Sequence, residues 1–295
     1  MSNKFIKKLG NDIGEQFFKL LFKNAPKMTY ATIEKKSKFI SSLFYLLCKK
    51  RIKNATNNIK LAFGDKYSAK EIDSMVKQVI FNFVVEFYMF FCIAGKSKDE
   101  VSKMVEFEGK EYIDEVLENK KGCIFLTAHF GNWEILARKL CIDGYTLNVI
   151  ARDSDNVGMT DITSKIRDDG GYNVFSRDQS LVGIVKALRR NECLGILPDQ
   201  HSYEGIWVDF FGRKAKTSVG TATFALRTGA KIVPIFCHRA EMGKYKLIAY
   251  PSLEYNKTGD DKEDIRNLTQ LINDTLENHI RKYPTSWLWI HNRWK

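Results

Sequence analysis

From residue 121 onward the chain alternates short apolar runs with amphipathic stretches. The runs at 123–128, 145–151, 172–175, 193–197, 231–237 and 245–250 have strand length. The segments between and after them, at 133–141, 157–168, 180–190, 218–228 and 263–281, repeat their apolar positions with a helical period. Continuous apolar strands separated by helices predict an α/β fold with a mainly parallel central sheet and helices on both faces. The earlier part reads differently. Ile6, Leu9, Ile13, Phe17 and Leu20 recur at steps of three and four, with Phe5, Phe18 and Leu21 beside them. Lys4, Lys7, Lys8, Lys19 and Lys23 flank that stripe. Segments 37–50 and 68–94 have further helical character, and Ser68 followed by Glu71 has the form of a capping box. The run Val79–Phe91 is apolar nearly all round, as in a buried core helix or the wall of a hydrophobic groove. This pattern divides the chain into a helical N-terminal region, 1–100, and an α/β domain, 101–295.

Composition narrows the class. With 295 residues, 44% hydrophobic and 28% charged, the chain can bury a sizeable core, and disordered, collagen-like and polytopic membrane chains are excluded. The net charge of +12 is unevenly placed. Residues 1–60 hold fourteen Lys or Arg against Asp12, Glu15 and Glu34, a local +11, which leaves +1 for the rest. Such a segment calls for an anionic partner: a phospholipid surface, nucleic acid or an acidic protein. Because the charge shares its segment with an apolar stripe, it suits a helix lying among headgroups. The alternative is a surface helix packed on the domain. Zinc-ligand spacing and RNA-binding motifs are missing, so no nucleic-acid partner is expected. The longest apolar window, Val79–Ala94, is interrupted by Asn82 and Glu86, so attachment without a spanning helix is expected. The six cysteines form no CxxC pair and read as reduced, buried thiols. The start of the chain lacks the pattern of a secretory signal.

The candidate chemistry lies where the first of these strands ends. His129 follows the apolar run 123–128, and Gly131 and a helix start come next. Ligands of α/β sheets sit at the carboxyl ends of strands. Glu134, five residues on, meets His129 only if the histidine lies in the turn and the glutamate in the first helical turn, since five helical residues separate side chains by roughly 140°. A helix N-terminus disfavours imidazolium, which would keep His129 neutral and able to accept a proton, and Glu134 would orient its ring. Asp199 and Gln200 follow another strand and either line a pocket or brace the strand end. Arg177 is a substrate contact or a solvated charge. His201, His238, His279 and His291 read as structural. The Trp-rich tail 287–294 reads as a packed end-piece. HExxH, clustered cysteine ligands, Asp-rich loops and phosphate-cradling glycine motifs are all missing, so no metal or cofactor is expected.

The segment His129-Phe130-Gly131-Asn132-Trp133-Glu134 resembles the H-x4-D/E signature of the lysophospholipid acyltransferase superfamily. Thr127 to Glu134 together resemble its lipid A late acyltransferase branch, the lauroyl and myristoyl transferases. Ala151 to Asn156, Leu197 to Gln200, Val208 to Gly212, Thr221 to Thr223, Gly229 to Pro234 and Pro284 to Lys295 are similar to further blocks of that branch, in order. The resemblance implies transfer of a fatty acyl chain from an acyl carrier protein or CoA thioester to a hydroxyl of a phosphorylated glycolipid. It makes His129 the general base, Glu134 its partner, and Arg152, with main-chain N–H groups near Gly131, the oxyanion donors. Asn132, Arg177, Asp199 and Gln200 become candidate substrate-binding residues. It also implies work at the cytoplasmic face of the inner membrane, on an anionic surface. A lysophospholipid or a glycosylated phosphoinositide is the alternative acceptor, and a non-catalytic binding protein the alternative of another class.

Overall fold

The computed structural model describes residues 14–151, 157–176 and 180–295. Helix α1 covers 14–24, followed by α2 (Tyr30–Leu47), α3 (Lys49–Phe63), α4 (Ala69–Ile93) and α5 (Lys98–Met104). The chain then runs through β1 (Val105–Glu108), α6 (Lys110–Glu118), β2 (Cys123–Leu126), α7 (Trp133–Ile142), β3 (Leu147–Ala151), α8 (Val157–Gly170), β4 (Asn173–Ser176), α9 (Ser180–Arg189) and β5 (Cys193–Ile196). A hairpin of β6 (Ile206–Phe210) and β7 (Arg213–Thr217) leads to α10 (Gly220–Thr228), β8 (Lys231–Glu241), β9 (Lys244–Ala249) and α11 (Asp261–Lys282).

Seven strands form one sheet in the order β1-β9-β8-β2-β5-β3-β4, and every neighbouring pair except β8–β9 is parallel. This is the expected mainly parallel sheet with helices on its faces. Every residue of β2 is buried, as a strand covered on both sides requires. Two departures have local causes. The edge strand β1 has an exposed acidic residue at alternate positions, Glu106 and Glu108, which hides it from a search for apolar runs. The β6–β7 hairpin alternates buried and exposed residues outside the main sheet, with Lys and Arg on its outer side.

The helix at 68–94 is present as α4, and its capping box is complete: Glu71 N–H donates to the Ser68 hydroxyl (3.3 Å) and Ser68 N–H to the Glu71 carboxylate (2.7 Å). Such caps contribute about 1 kcal/mol each. By length and composition α4 could cross a membrane, contrary to the expectation that no helix here is long enough. However, 67% of its most apolar window is buried inside the protein. One face packs against α2 and α3, and Val79, Asn82, Phe83, Glu86, Phe87 and Phe90, at helical spacing, line a cavity. The core-helix and groove-wall readings of this segment both describe it, on opposite faces.

Of the stripe expected near the start of the chain, Phe5, Ile6, Leu9 and Ile13 lie outside the described residues, and the part within α1 is divided. Phe18 and Leu21 pack inward, Phe18 edge-on to Phe87 and Phe91, while Phe17 and Leu20 remain exposed. The tail after α11 is packed as expected, with Trp287, Trp289 and Arg293 buried. Helix α3 fixes it: Asn58 donates to the carbonyls of Trp289 and His291.

Candidate active site

β2 lies between β8 and β5, with Leu126 in register with Ile196 of β5. His129 is three residues past Leu126, and Asp199 is three residues past Ile196. Equal overhangs on adjacent parallel strands bring the two side chains together at the carboxyl edge of the sheet. The imidazole Nδ1 stands 2.9 Å from Asp199 Oδ1, and the His129 main-chain N–H donates to Oδ2 of the same carboxylate at 3.0 Å. Trp287 donates its indole N–H to Oδ2 at 2.8 Å. Asp199 is therefore buried and fully engaged, and Nε2 is the ring nitrogen without a partner among the described residues. The imidazole itself is 25% exposed, at the wall of the cavity.

The turn after β2 is held on both sides. Gly131 has φ +52°, and a Cβ there would stand 1.9 Å from the Cys237 carbonyl oxygen, so glycine is required. Gly131 N–H donates to Ser286 O (2.9 Å), Asn132 N–H to Cys237 O (3.2 Å), and Leu288 N–H to His129 O (3.0 Å). The tail thus clamps the turn that carries the histidine. These bonds also correct an expectation: the main-chain N–H groups of Gly131 and Asn132 are occupied and cannot serve as oxyanion donors. The Asn132 side chain caps α7 by accepting from Ile135 N–H, and its amide donates to Glu86, so although it lines the cavity its polar atoms are engaged.

The hydrogen bond expected between Glu134 and His129 is absent, and Asp199 takes that place. Glu134, on the first turn of α7, accepts from Arg167 of α8 (Nη2–Oε1 2.7 Å) and from the Tyr172 hydroxyl. The acid still acts on the ring through space. Burial pushes the His129 imidazolium down, but the Asp199 carboxylate, with a smaller contribution from Glu134, outweighs it and holds the group above its ordinary value. The neutral bias expected from the helix N-terminus is thus overridden by a nearer charge. Burial likewise pushes the Asp199 carboxyl up, and the His129 and Trp287 contacts bring it below the usual carboxylate range.

The cavity has a volume of about 240 Å³. Phe18, Val79, Phe83, Phe87 and Phe90 make its apolar wall, and His129, Glu134, Arg167, Glu86 and Arg239 its polar side. Beside His129 lies a second buried polar group: Glu86 accepts from Arg239 (2.9 Å), Asn132 (2.9 Å) and the Tyr245 hydroxyl (2.7 Å). Arg239 also reaches Asn82 at 2.8 Å, and Asn82 donates to Thr285 O. Asp199 sits behind His129 and Gln200 is half-buried; neither lines this cavity. Arg152 and Arg177 lie outside the described residues. Among the described residues no group of His, Cys, Asp and Glu side chains has the arrangement of a metal site. Sequence reasoning missed Arg167, Tyr172, Arg239 and the role of Trp287. Glu86 alone carried a signal, as a charge within an apolar helix.

Residues 19–295 match the family of bacterial lipid A biosynthesis acyltransferases. The lipid A biosynthesis lauroyltransferase of Escherichia coli strain K12 is 29% identical over 66% of this chain and 63% of its own length. A lipid A biosynthesis acyltransferase of Haemophilus influenzae is 25% identical over 67% of this chain and 61% of its own. A phosphatidylinositol mannoside acyltransferase of Mycobacterium tuberculosis is 23% identical over 63% of this chain and 58% of its own. The chain thus spans about three fifths of the length of these relatives. With the match extending over nearly the whole chain and over the segment that carries His129, the protein belongs to the bacterial lipid A biosynthesis acyltransferase family.

Proposed function

We propose that the protein is an O-acyltransferase that moves a fatty acyl chain from an acyl carrier protein or CoA thioester to a hydroxyl of a lipid A precursor, a phosphorylated glycolipid. The observation that carries this reading is the His129–Asp199 pair, whose free Nε2 stands at a cavity with a phenylalanine wall. Asp199 accepts a hydrogen bond from Nδ1–H and so fixes the tautomer that leaves Nε2 basic. The acceptor hydroxyl gives its proton to Nε2 as its oxygen attacks the thioester carbonyl carbon. The tetrahedral oxyanion collapses, the carbon–sulfur bond breaks, and the imidazolium returns its proton to the leaving sulfur. An ester and a free thiol result, and no covalent enzyme intermediate is needed.

A cation beside the developing oxyanion lowers this barrier. Arg167, steadied by Glu134 and Tyr172, offers one at the cavity, and Arg152 keeps the same expected role from the family resemblance. In this arrangement Glu134 is a positioning residue for Arg167 and adds to the negative field at the imidazole. Arg177 remains a proposed acceptor contact, Asn132 acts indirectly through its hold on Glu86, and Gln200, away from this cavity, would meet only a part of the acceptor that extends beyond it. The site is taken to work on an anionic membrane surface at the cytoplasmic face of the inner membrane, without nucleic acid. The phosphatidylinositol mannoside relative favours a second reading, with a glycosylated phosphoinositide as acceptor. Purified protein given tetra-acylated lipid A precursor, phosphoinositide mannosides and a panel of acyl carrier thioesters separates these readings. Ester formation on the lipid A precursor is expected. Transfer only to the mannosides supports the second acceptor, and transfer to neither contradicts the proposed function.

A further inference from the structure

Helix α2 is amphipathic the wrong way round for a helix that faces only water. Ser37 and Ser41, two small hydroxyl residues, are buried beside Ile33 on its inner side. Phe39, Leu43, Leu46 and Leu47 point outward, with Phe39 72% and Leu47 70% exposed. At about 100° per residue these four fall within an arc of roughly 100°. Monomeric soluble proteins seldom leave a contiguous stripe of large apolar side chains uncovered. A groove lined by Phe17, Leu20, Asn24, Lys27, Met28 and Lys36 joins the exposed residues of α1 to the start of α2, so the two helices border one groove of mixed apolar and basic character.

Cations mark both ends of the stripe. Lys35 and Lys36 precede it, and Lys49, Lys50, Arg51 and Lys53 follow it, all exposed. Among the described residues none of these six is in an ion pair, whereas Lys38 is held by Glu34 at 2.7 Å. We propose that the outward face of α2, continued by Phe17 and Leu20 of α1, is the surface by which the protein docks onto an anionic phospholipid bilayer. The apolar side chains enter the headgroup boundary and the flanking cations meet lipid phosphates. A second copy of the chain on this face would set lysines against lysines, and an acidic protein partner would answer the cations while leaving the leucines without a counterpart. The inference deepens the proposed function, whose acceptor is a lipid. It adds a surface that α2 dominates to the attachment expected for the first helix, much of which lies outside the described residues.

Flotation of the full chain with phosphatidylcholine vesicles, with and without phosphatidylglycerol, tests the assignment. Binding is expected to rise with phosphatidylglycerol and fall with salt. The double variants Phe39→Ser with Leu47→Ser, and Lys49→Gln with Lys50→Gln, are each expected to bind about tenfold more weakly or worse. Both change exposed side chains only, and circular dichroism on the same samples checks the fold. Unchanged vesicle binding in both double variants overturns the proposal. So does a dimer seen by light scattering that the Phe39/Leu47 variant dissolves while its vesicle binding is intact, or loss of acyl carrier protein binding alone in the Lys49/Lys50 variant. Acyl transfer to detergent-dispersed acceptor, measured in parallel, is expected to survive in both variants. Vesicle binding without any transfer by the parent protein would count against the proposed function and leave the docking surface standing.

Discussion

Glu134 and Arg167 form an ion pair, Nη2 to Oε1 at 2.7 Å, although Glu134 lies only five residues from the histidine it was expected to orient. The carboxylate is also bonded to the Tyr172 hydroxyl, so three side chains from α7, α8 and the approach to β4 meet at one edge of the cavity. Removing one member of such a mostly buried pair leaves the other uncompensated, at a cost of about 3 kcal/mol. Glu134→Gln is therefore expected to lose stability and turnover together, and Arg167→Met to do the same. In a double-mutant cycle read by urea unfolding, the losses are expected to be clearly less than additive. Additive losses would show that the pair does not act as a unit.

Asp199→Asn tests the partner of His129. The carboxylate holds the imidazole above its ordinary value against the opposing effect of burial. The proposed mechanism requires neutral His129, so in the parent protein the rate is expected to rise with pH through a value above that of a free imidazole. With Asn at 199 the ring's value falls, and the rising limb moves to lower pH. The amide can also donate to Nδ1 and favour the wrong tautomer, so turnover at the plateau is expected to drop about 10²–10⁴-fold. A pH–rate profile checks both effects. An unmoved limb would mean that another group sets it.

The Glu86 cluster predicts a stability effect next to the chemistry. Glu86→Ala strands Arg239 and removes the acceptor for Asn132 and Tyr245. A loss of about 3–5 kcal/mol is expected from breaking a buried ion pair of this kind. Thermal or urea unfolding measures it. Arg239→Ala in the same background is expected to recover part of the loss, because the stranded charge is then gone.

His279 predicts acid sensitivity. Its ring is stacked on Phe236 at 3.7 Å, its Nε2 is buried without a partner among the described residues, and burial, with nearby His238 and Lys282, pushes its value down to about 3. The unfolded chain binds this proton near the ordinary value of 6.5, so between 6.5 and 3 the unfolded state holds more protons. Stability is therefore intact above that window and is lost as pH falls through it, with a slope of about 1.4 kcal/mol per pH unit from this group. His279→Phe is expected to flatten that part of the curve in urea titrations at several pH values. His291, pushed down by burial to about 4, contributes a smaller share that persists in the variant.

Much of this architecture is legible in the residues. The strands β2, β3, β5 and the first part of β8 announce themselves because buried parallel strands are nearly all apolar, while β4 and β9 show as shorter apolar runs between the helical segments. The capping box at Ser68 states where α4 begins. His129 stood out as a candidate because it directly follows such a strand and precedes a glycine and a helix start, and the resemblance of 129–134 to the H-x4-D/E signature is what singled it out. Its partner was not identifiable. Asp199 is 70 positions away, and the match follows from β2 and β5 being neighbours with Leu126 opposite Ile196. Neighbour order in a parallel sheet is a tertiary fact that local periodicity does not encode. Sequence proximity favoured Glu134 instead, which α7 turns toward Arg167. Arg167 and Tyr172 sit in an ordinary amphipathic helix and at a strand entry, with no local mark of their position. Glu86 did leave a mark, since a carboxylate within a run such as Val79–Phe91 needs a partner, but nothing local named Arg239.

The proposed general-base role of His129 is probed most directly by the rate of acyl transfer from an acyl carrier thioester to the lipid A precursor by His129→Ala, measured on protein whose unfolding curve matches the parent's. A fall of about 10²–10⁴-fold is expected, the usual consequence of losing a general base. Turnover equal to the parent's would contradict that role.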